Sequence, residues 1–217
     1  VKYPVIRLFL SVILIINIGI TVLFAQSNFS KFKKLSGAEK CWVLTHPFIA
    51  KRTLKITQSV LLVTDSIRRS SVLDGDANGG QVDAFRHAYW MASVARQFGK
   101  HRALQLGKAH EKGNYRDYKK HRNENGVVPD KISSEMDLWN NALGADLGAS
   151  CRKTDDLLIQ QLIINAINDG MLKIIKKNKA GQFLDEKGMI ISPESLKGKW
   201  VNNKCLVNSD YIIYNFN

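Results

Sequence analysis

The chain has 217 residues, 45% of them apolar, which suffices for one domain with a proper core and excludes a largely disordered chain. Its 32 Lys and Arg against 19 Asp and Glu give a formal net charge of +13, so anionic partners are favoured. No Walker A, GxSxG or HExxH motif occurs, and no cysteine sits in a nucleophile context, which removes the enzyme classes those patterns define.

The first segment stands apart. Lys2 and Arg7 precede an apolar run from Leu8 to Phe24, and Ala25 marks the change to polar composition. A positive start, an apolar middle and a small residue at the break read as a signal peptide over residues 1–25. A retained membrane anchor is the alternative, because the run is only just long enough to span a bilayer. Either reading places the rest outside the cytoplasm, periplasmic or secreted. Without Lys2 and Arg7, 30 basic residues stand against 19 acidic ones, a net +11. An anionic substrate or envelope component is then the expected partner, ahead of nucleic acid. Cys41, Cys151 and Cys205 allow one disulfide in an oxidising compartment, and their spacing does not choose the pair.

Residues 26–35 form a polar lead-in with Lys31, Lys33 and Lys34. A helical region is expected from about Ser36 to Arg69, interrupted near Pro47. Asp74-Gly75-Asp76-Ala77-Asn78-Gly79-Gly80 reads as a loop. A helix follows from Gln81 to just before Gly99, rich in Ala and Met. The next is expected from Arg102 to about Gly113, with a long exposed loop over 114–130. Ser133 or Ser134 is expected to cap a helix reaching Leu147. Thr154 is expected to cap one that runs to Lys176, with Asp155 and Asp156 in its first turn. The fold class is therefore mainly α, a compact multi-helix domain over 36–178. A short irregular or β-containing tail over 179–217 is expected to pack on it.

The densest polar and aromatic stretch is Asp83-Ala84-Phe85-Arg86-His87-Ala88-Tyr89-Trp90. On a helix Asp83 and His87 share a face, so the carboxylate can fix the imidazole tautomer, raise its basicity or share a metal. His110-Glu111 ends one helix and Met136-Asp137-Leu138-Trp139-Asn140-Asn141 opens another, with Asp137 and Asn141 again one turn apart. Converging, these helices would supply His87, Asp83, His110 and Glu111 as catalytic groups. Arg86, Asn140 and Trp90 would contact substrate. His87, His110, Glu111, Asp137 and Asn141 are the candidate ligands of a divalent metal, zinc or calcium. Taken singly, each has a plainer reading as a surface or satisfied core group.

Asp74-x-Asp76-x-Asn78-Gly79 copies the first half of a calcium loop. Its twelfth position is Phe85, which excludes an EF-hand, although Asp83 could complete an irregular site. A Gly/Asx turn that starts the next helix is the competing reading.

The segments DAFRHAYW, AHE and MDLWNN-x-x-G resemble a family of largely uncharacterised bacterial exported or toxin-associated domains. The likeness covers about residues 36–175. It implies Asp83, Arg86, His87, His110, Glu111, Asp137, Asn140 and Asn141 as candidate residues, and implies no reaction.

Three functions fit these residues: a hydrolase of an anionic envelope substrate such as phospholipid or wall polymer, a binding or structural module whose polar cluster is a buried hydrogen-bond network, and a toxin-type nuclease. The last lacks any HNH-like motif.

Overall fold

In the computed structural model of the protein, residues 30–121 and 128–211 are described. The expected signal segment, residues 122–127 of the expected loop and the apolar piece beyond Tyr211 lie outside them.

The architecture follows from where the chain is smallest. Helix α3 (Gln81–Phe98) carries Ala84, Ala88, Ala92 and Ala95, all wholly buried. Spaced by three or four, they make one flank of the helix a row of methyl groups. Helix α5 (Lys131–Ser150) presents Gly144 and Gly148 to that flank. A methyl group at either glycine would overlap the carbonyl of Ala88 or Ala92. The two backbones therefore touch, and α3 becomes the centre of the molecule. Around it pack α2 (Pro47–Arg68), α4 (Lys100–Lys119), α6 (Asp156–Asn168) and strand β1 (Lys173–Ile175). Phe85, Met91, Val94, Ile159, Ile163, Ile167 and Leu172 fill the core. The protein is mainly α.

Helix α1 (Gly37–Thr45) lies on α4. Ser36 and Glu39 close its first turn with a capping box. His46 breaks the helix and Pro47 starts α2, as the sequence predicts. Gly99, at φ 90°, divides α3 from α4.

Three helices begin or end differently from expectation. Helix α4 continues past Gly113 to Lys119, because Tyr115 and Tyr118 pack their rings on Trp200 and the Tyr118 hydroxyl donates to Gly198 O at 3.1 Å. Helix α5 starts at Lys131, capped by Asp130 rather than by a serine. The second oxygen of Asp130 holds Lys204 Nζ at 2.7 Å and Asn202 Nδ2 at 2.9 Å; burial opposes the charge on this carboxylate, but Lys204, the Ser133 amide and Asn202 together outweigh it and leave the carboxyl below its ordinary value. Helix α6 is capped by Asp155 and stops at Asn168. Gly170, at φ 72°, turns the chain, with Met171 N donating to Ala166 O.

The chain then returns as a strand. β1 pairs antiparallel with β2 (Leu206–Asn208), Ile174 opposite Val207. Between them lie the one-turn helix α7 (Pro193–Leu196) and isolated bridges that join Lys177 to Phe183 and Leu184 to Ile190. Cys41, Cys151 and Cys205 are free thiols, so the disulfide that the composition allows does not form. No helix among the described residues is long and apolar enough to cross a membrane.

Because backbone meets backbone at α3 and α5, Gly144→Ala or Gly148→Ala must push the helices apart. We expect each to destabilise the protein by about 3 kcal/mol, read as a melting temperature lower by roughly 6–12 °C. A shift below about 2 °C in both would contradict this packing.

Candidate functional site

The face of α5 that carries Gly144 and Gly148 carries Asn141 and Asp137 in the turns before them. The glycine contact thus lowers two polar side chains onto the N-terminal half of α3. There the backbone amide of Gly79 donates to Asp83 Oδ2 at 2.7 Å and pins this carboxylate toward the loop before the helix. One turn on, His87 Nε2 lies 3.5 Å from Asp83 Oδ1 and 3.3 Å from Asp137 Oδ1. All three residues are buried, and their ligand atoms lie within 4.8 Å of one another. Arg86 Nη2 sits 2.5 Å from Asp83 Oδ1 and 3.1 Å from His87 Nε2. A guanidinium is thus the cation beside two carboxylates and an imidazole.

Burial is the largest influence on His87. With the positive charges of Arg86 and His110, it holds the ring well below the usual histidine range, against Asn141, whose side chain favours the protonated ring as an acceptor. The fold thus favours the neutral imidazole, the form that binds a metal or accepts a proton.

A second imidazole completes the cluster. His110 on α4 has its ring centroid 6.2 Å from that of His87 and sits edge-on to Trp90 at 5.4 Å. Its Nδ1 meets Glu39 Oε1 at 3.1 Å. Burial resists the charge on Glu39, but His110 and the Ser36 amide and hydroxyl outweigh it and leave the carboxyl below its ordinary value. Glu39 was not among the residues singled out by sequence. Ser36-x-x-Glu39 is legible as a capping box, and that role hides the second: Oε2 accepts from Ser36 N while Oε1 faces His110.

These groups sit at one end of a cleft of about 840 Å³, within the usual range for a ligand site. Glu39, Asp83, Arg86, His87, His110 and Asp137 form its polar end. Trp42, Val43, Leu54, Val60, Leu61 and Leu106 supply most of the apolar wall, and Asp65, Arg68, Asp76, Asn78 and Ser133 also reach the lining. Trp90 is also in the wall, its Nε1 donating to Thr57 Oγ1 at 2.9 Å.

The structure places the other predicted residues elsewhere. Glu111 is buried off the cleft, and its Oε2 accepts from Asn114 on the same helix at 3.3 Å. Asn140 is wholly buried and bonds both backbone groups of Lys173 at 2.9 Å, which ties α5 to β1. Asn141 lies beneath His87, against Gly107 and away from the lining. In the calcium-like loop, Asp74 takes the amides of Asp76 and Gln81, and Asp76 Oδ1 takes that of Asn78. Lys177 Nζ lies 2.5 Å from both Asp76 Oδ2 and Asn78 O, so an ammonium group stands against the oxygens that a calcium ion would need.

The model of the family described as Domain of unknown function (DUF6973) matches residues 40–171, well over half of the chain. The chain belongs to that family. No curated protein and no solved structure matches it. Among the polar residues at the cleft's end, the DUF6973 match holds Asp83, Arg86, His87, His110 and Asp137, and Glu39 stands one residue before its start.

A histidine held below its ordinary pKa binds fewer protons folded than unfolded. Stability is then lost as pH falls through the ordinary histidine range. In metal-free buffer we expect stability to drop from pH 7 to pH 5, with His87 contributing up to about 1.4 kcal/mol per pH unit. His87→Gln should flatten that part of the profile. Equal slopes in the two proteins would mean that the ring is not kept neutral by the fold.

Proposed function

We propose that the protein is an exported, metal-dependent hydrolase of an anionic amphiphile, a phospholipid by chemical class. The observation that carries this reading is the convergence of Asp83, His87 and Asp137 on one point at the polar end of a mostly apolar cleft. Two carboxylates and an imidazole suit zinc with an open position better than calcium, which takes six or more oxygens. A metal held there would polarise the scissile group and lower the pKa of a water to about 7.

The chain's own residues do the rest. Glu39 orients His110 through Nδ1, so that its other nitrogen can take or give a proton. With a divalent cation held by Asp83, Arg86 would be released to pair with an anionic substrate group, for which its fork is suited. The apolar walls accept an acyl chain, which favours lipid over wall polymer. The composition of residues 1–25 supports export, and the surplus of basic residues supports an anionic envelope substrate.

Metal analysis of the purified protein should find about one zinc per chain, and added zinc should raise the melting temperature. Asp137→Asn and His87→Gln should lose the metal. Hydrolysis of phosphatidylglycerol should fall by at least roughly 100-fold in His87→Gln and in chelator-treated protein. Retention of metal by both variants would overturn the assignment.

One observation favours a second reading, a buried network with no metal. Asp83 joins Gly79, Arg86 and His87, and so fastens the 74–80 loop to α3. On that reading Asp83→Asn lowers the melting temperature by about 4–8 °C and zinc leaves that of the native chain unchanged. Stabilisation by zinc that disappears in Asp83→Asn decides for the metal centre.

A further inference from the structure

Helix α2 presents three faces. Ile49, Ile56, Val60 and Ile67 turn to the core, and Ala50, Leu54, Thr57 and Leu61 line the cleft. The third face points outward. Phe48, Lys51, Arg52, Lys55, Ser59 and Leu62 recur at helical spacing along it, and all are exposed. Phe48 is 96% exposed and Leu62 75%, and Leu44, just before the break at His46, is 71% exposed.

Single exposed apolar side chains are ordinary. This stripe is different in two respects. It combines large apolar groups with charge of one sign only. From Lys40 to Thr64 there are four basic residues and no carboxylate. It also borders the cleft, because Lys51 and Leu62 stand at the edge of the helix surface that carries Leu54 and Leu61. Aromatic and aliphatic side chains flanked by Lys and Arg on one helical face are the pattern of a helix that lies in a membrane interface. Basic residues near an anionic leaflet strengthen binding by roughly fivefold each.

We propose that the outward face of α2, with Leu44, docks the protein on an anionic lipid surface. Phe48, Leu44 and Leu62 enter the acyl boundary, and Lys51, Arg52 and Lys55 meet the headgroup phosphates. In this pose the cleft wall formed by Leu54, Thr57 and Leu61 adjoins the bilayer, so a lipid molecule has a mostly apolar path along it toward His87 and Asp137. The docking face rests on the lipid-hydrolase reading for its purpose, and on exposure, charge and position for its physical basis.

The test is co-sedimentation of the full chain with vesicles of phosphatidylglycerol and phosphatidylcholine, and with vesicles of phosphatidylcholine alone. The variants are Phe48→Ser and Lys51→Glu/Arg52→Glu. These side chains are exposed, so melting temperatures should stay within about 2 °C of the parent. Binding should be strong on the anionic vesicles and weak on the neutral ones. Each variant should lower the anionic partition coefficient by at least roughly tenfold. Hydrolysis of a monomeric short-chain phosphatidylglycerol should be unchanged in both. Undiminished sedimentation of the variants would show that attachment lies elsewhere, the apolar run of residues 8–24 included, and would overturn the docking face. So would equal binding to the two vesicle types. Failure of the catalytic reading is separate: no hydrolysis of either lipid form, while sedimentation still depends on Phe48, would leave the surface and remove the enzyme.

Discussion

The contact of Gly144 and Gly148 with the backbone of Ala88 and Ala92 sets the rest of the molecule in place. Small residues bury little apolar area, so this contact adds little hydrophobic stabilisation of its own. Its effect is geometric. Two helices whose backbones meet have no room for intervening side chains, and longer groups a turn away on the same faces must meet tip to tip. On α5 the face runs Asp137, Asn141, Gly144, Gly148. On α3 His87 stands beside Ala88. The α5 stripe is therefore polar at one end and small at the other, and its polar end comes down beside His87 on the edge of the alanine flank of α3. Gly107 extends the pattern to α4, where a side chain would meet Asn141 and Met91.

That division explains what could be read from the sequence. Asp83 and His87 share a helical turn, and Asp137 opens a helix with a strong polar motif, so each stood out as a candidate by sequence, while their meeting is set by the packing of α5 on α3. Glu39 was not, because its position three residues after Ser36 is fully accounted for by the cap. Asn140 and Asn141 are adjacent and looked alike. A helix turns 100° per residue, so one reaches β1 and the other lies under His87. Helix ends were lost where distant chain segments decide them. Nothing near Tyr118 announces Trp200, and nothing near Asp130 announces Lys204. Gly170, at φ 72°, is a helix stop that composition offers, and the helix expected to reach Lys176 ends before it at Asn168.

Charge in the interior is arranged in stages. Asp130, Asp83 and Glu39 each satisfy one oxygen with a backbone amide near a helix start and offer the other to a cation or an imidazole. A carboxylate already fixed by an amide gives up little further freedom when a second partner arrives. The cluster is thus organised before any ligand enters, which is the condition for tight positioning of a metal or a substrate.

The antiparallel pair at the end of the helical region reaches back to this cluster. Ile175 N donates to Gly79 O at 2.7 Å, Gly79 N donates to Asp83, and Lys177 closes the loop between them. Asn140 makes a parallel tie to Lys173. The DUF6973 match ends at Met171, two residues before the first of these links. A fragment cut at that boundary for expression would keep every candidate ligand and discard the clamp that orients one of them. The structural unit that holds the cluster in place is accordingly longer than the matched segment, and its last links come from β1 and the residues after it.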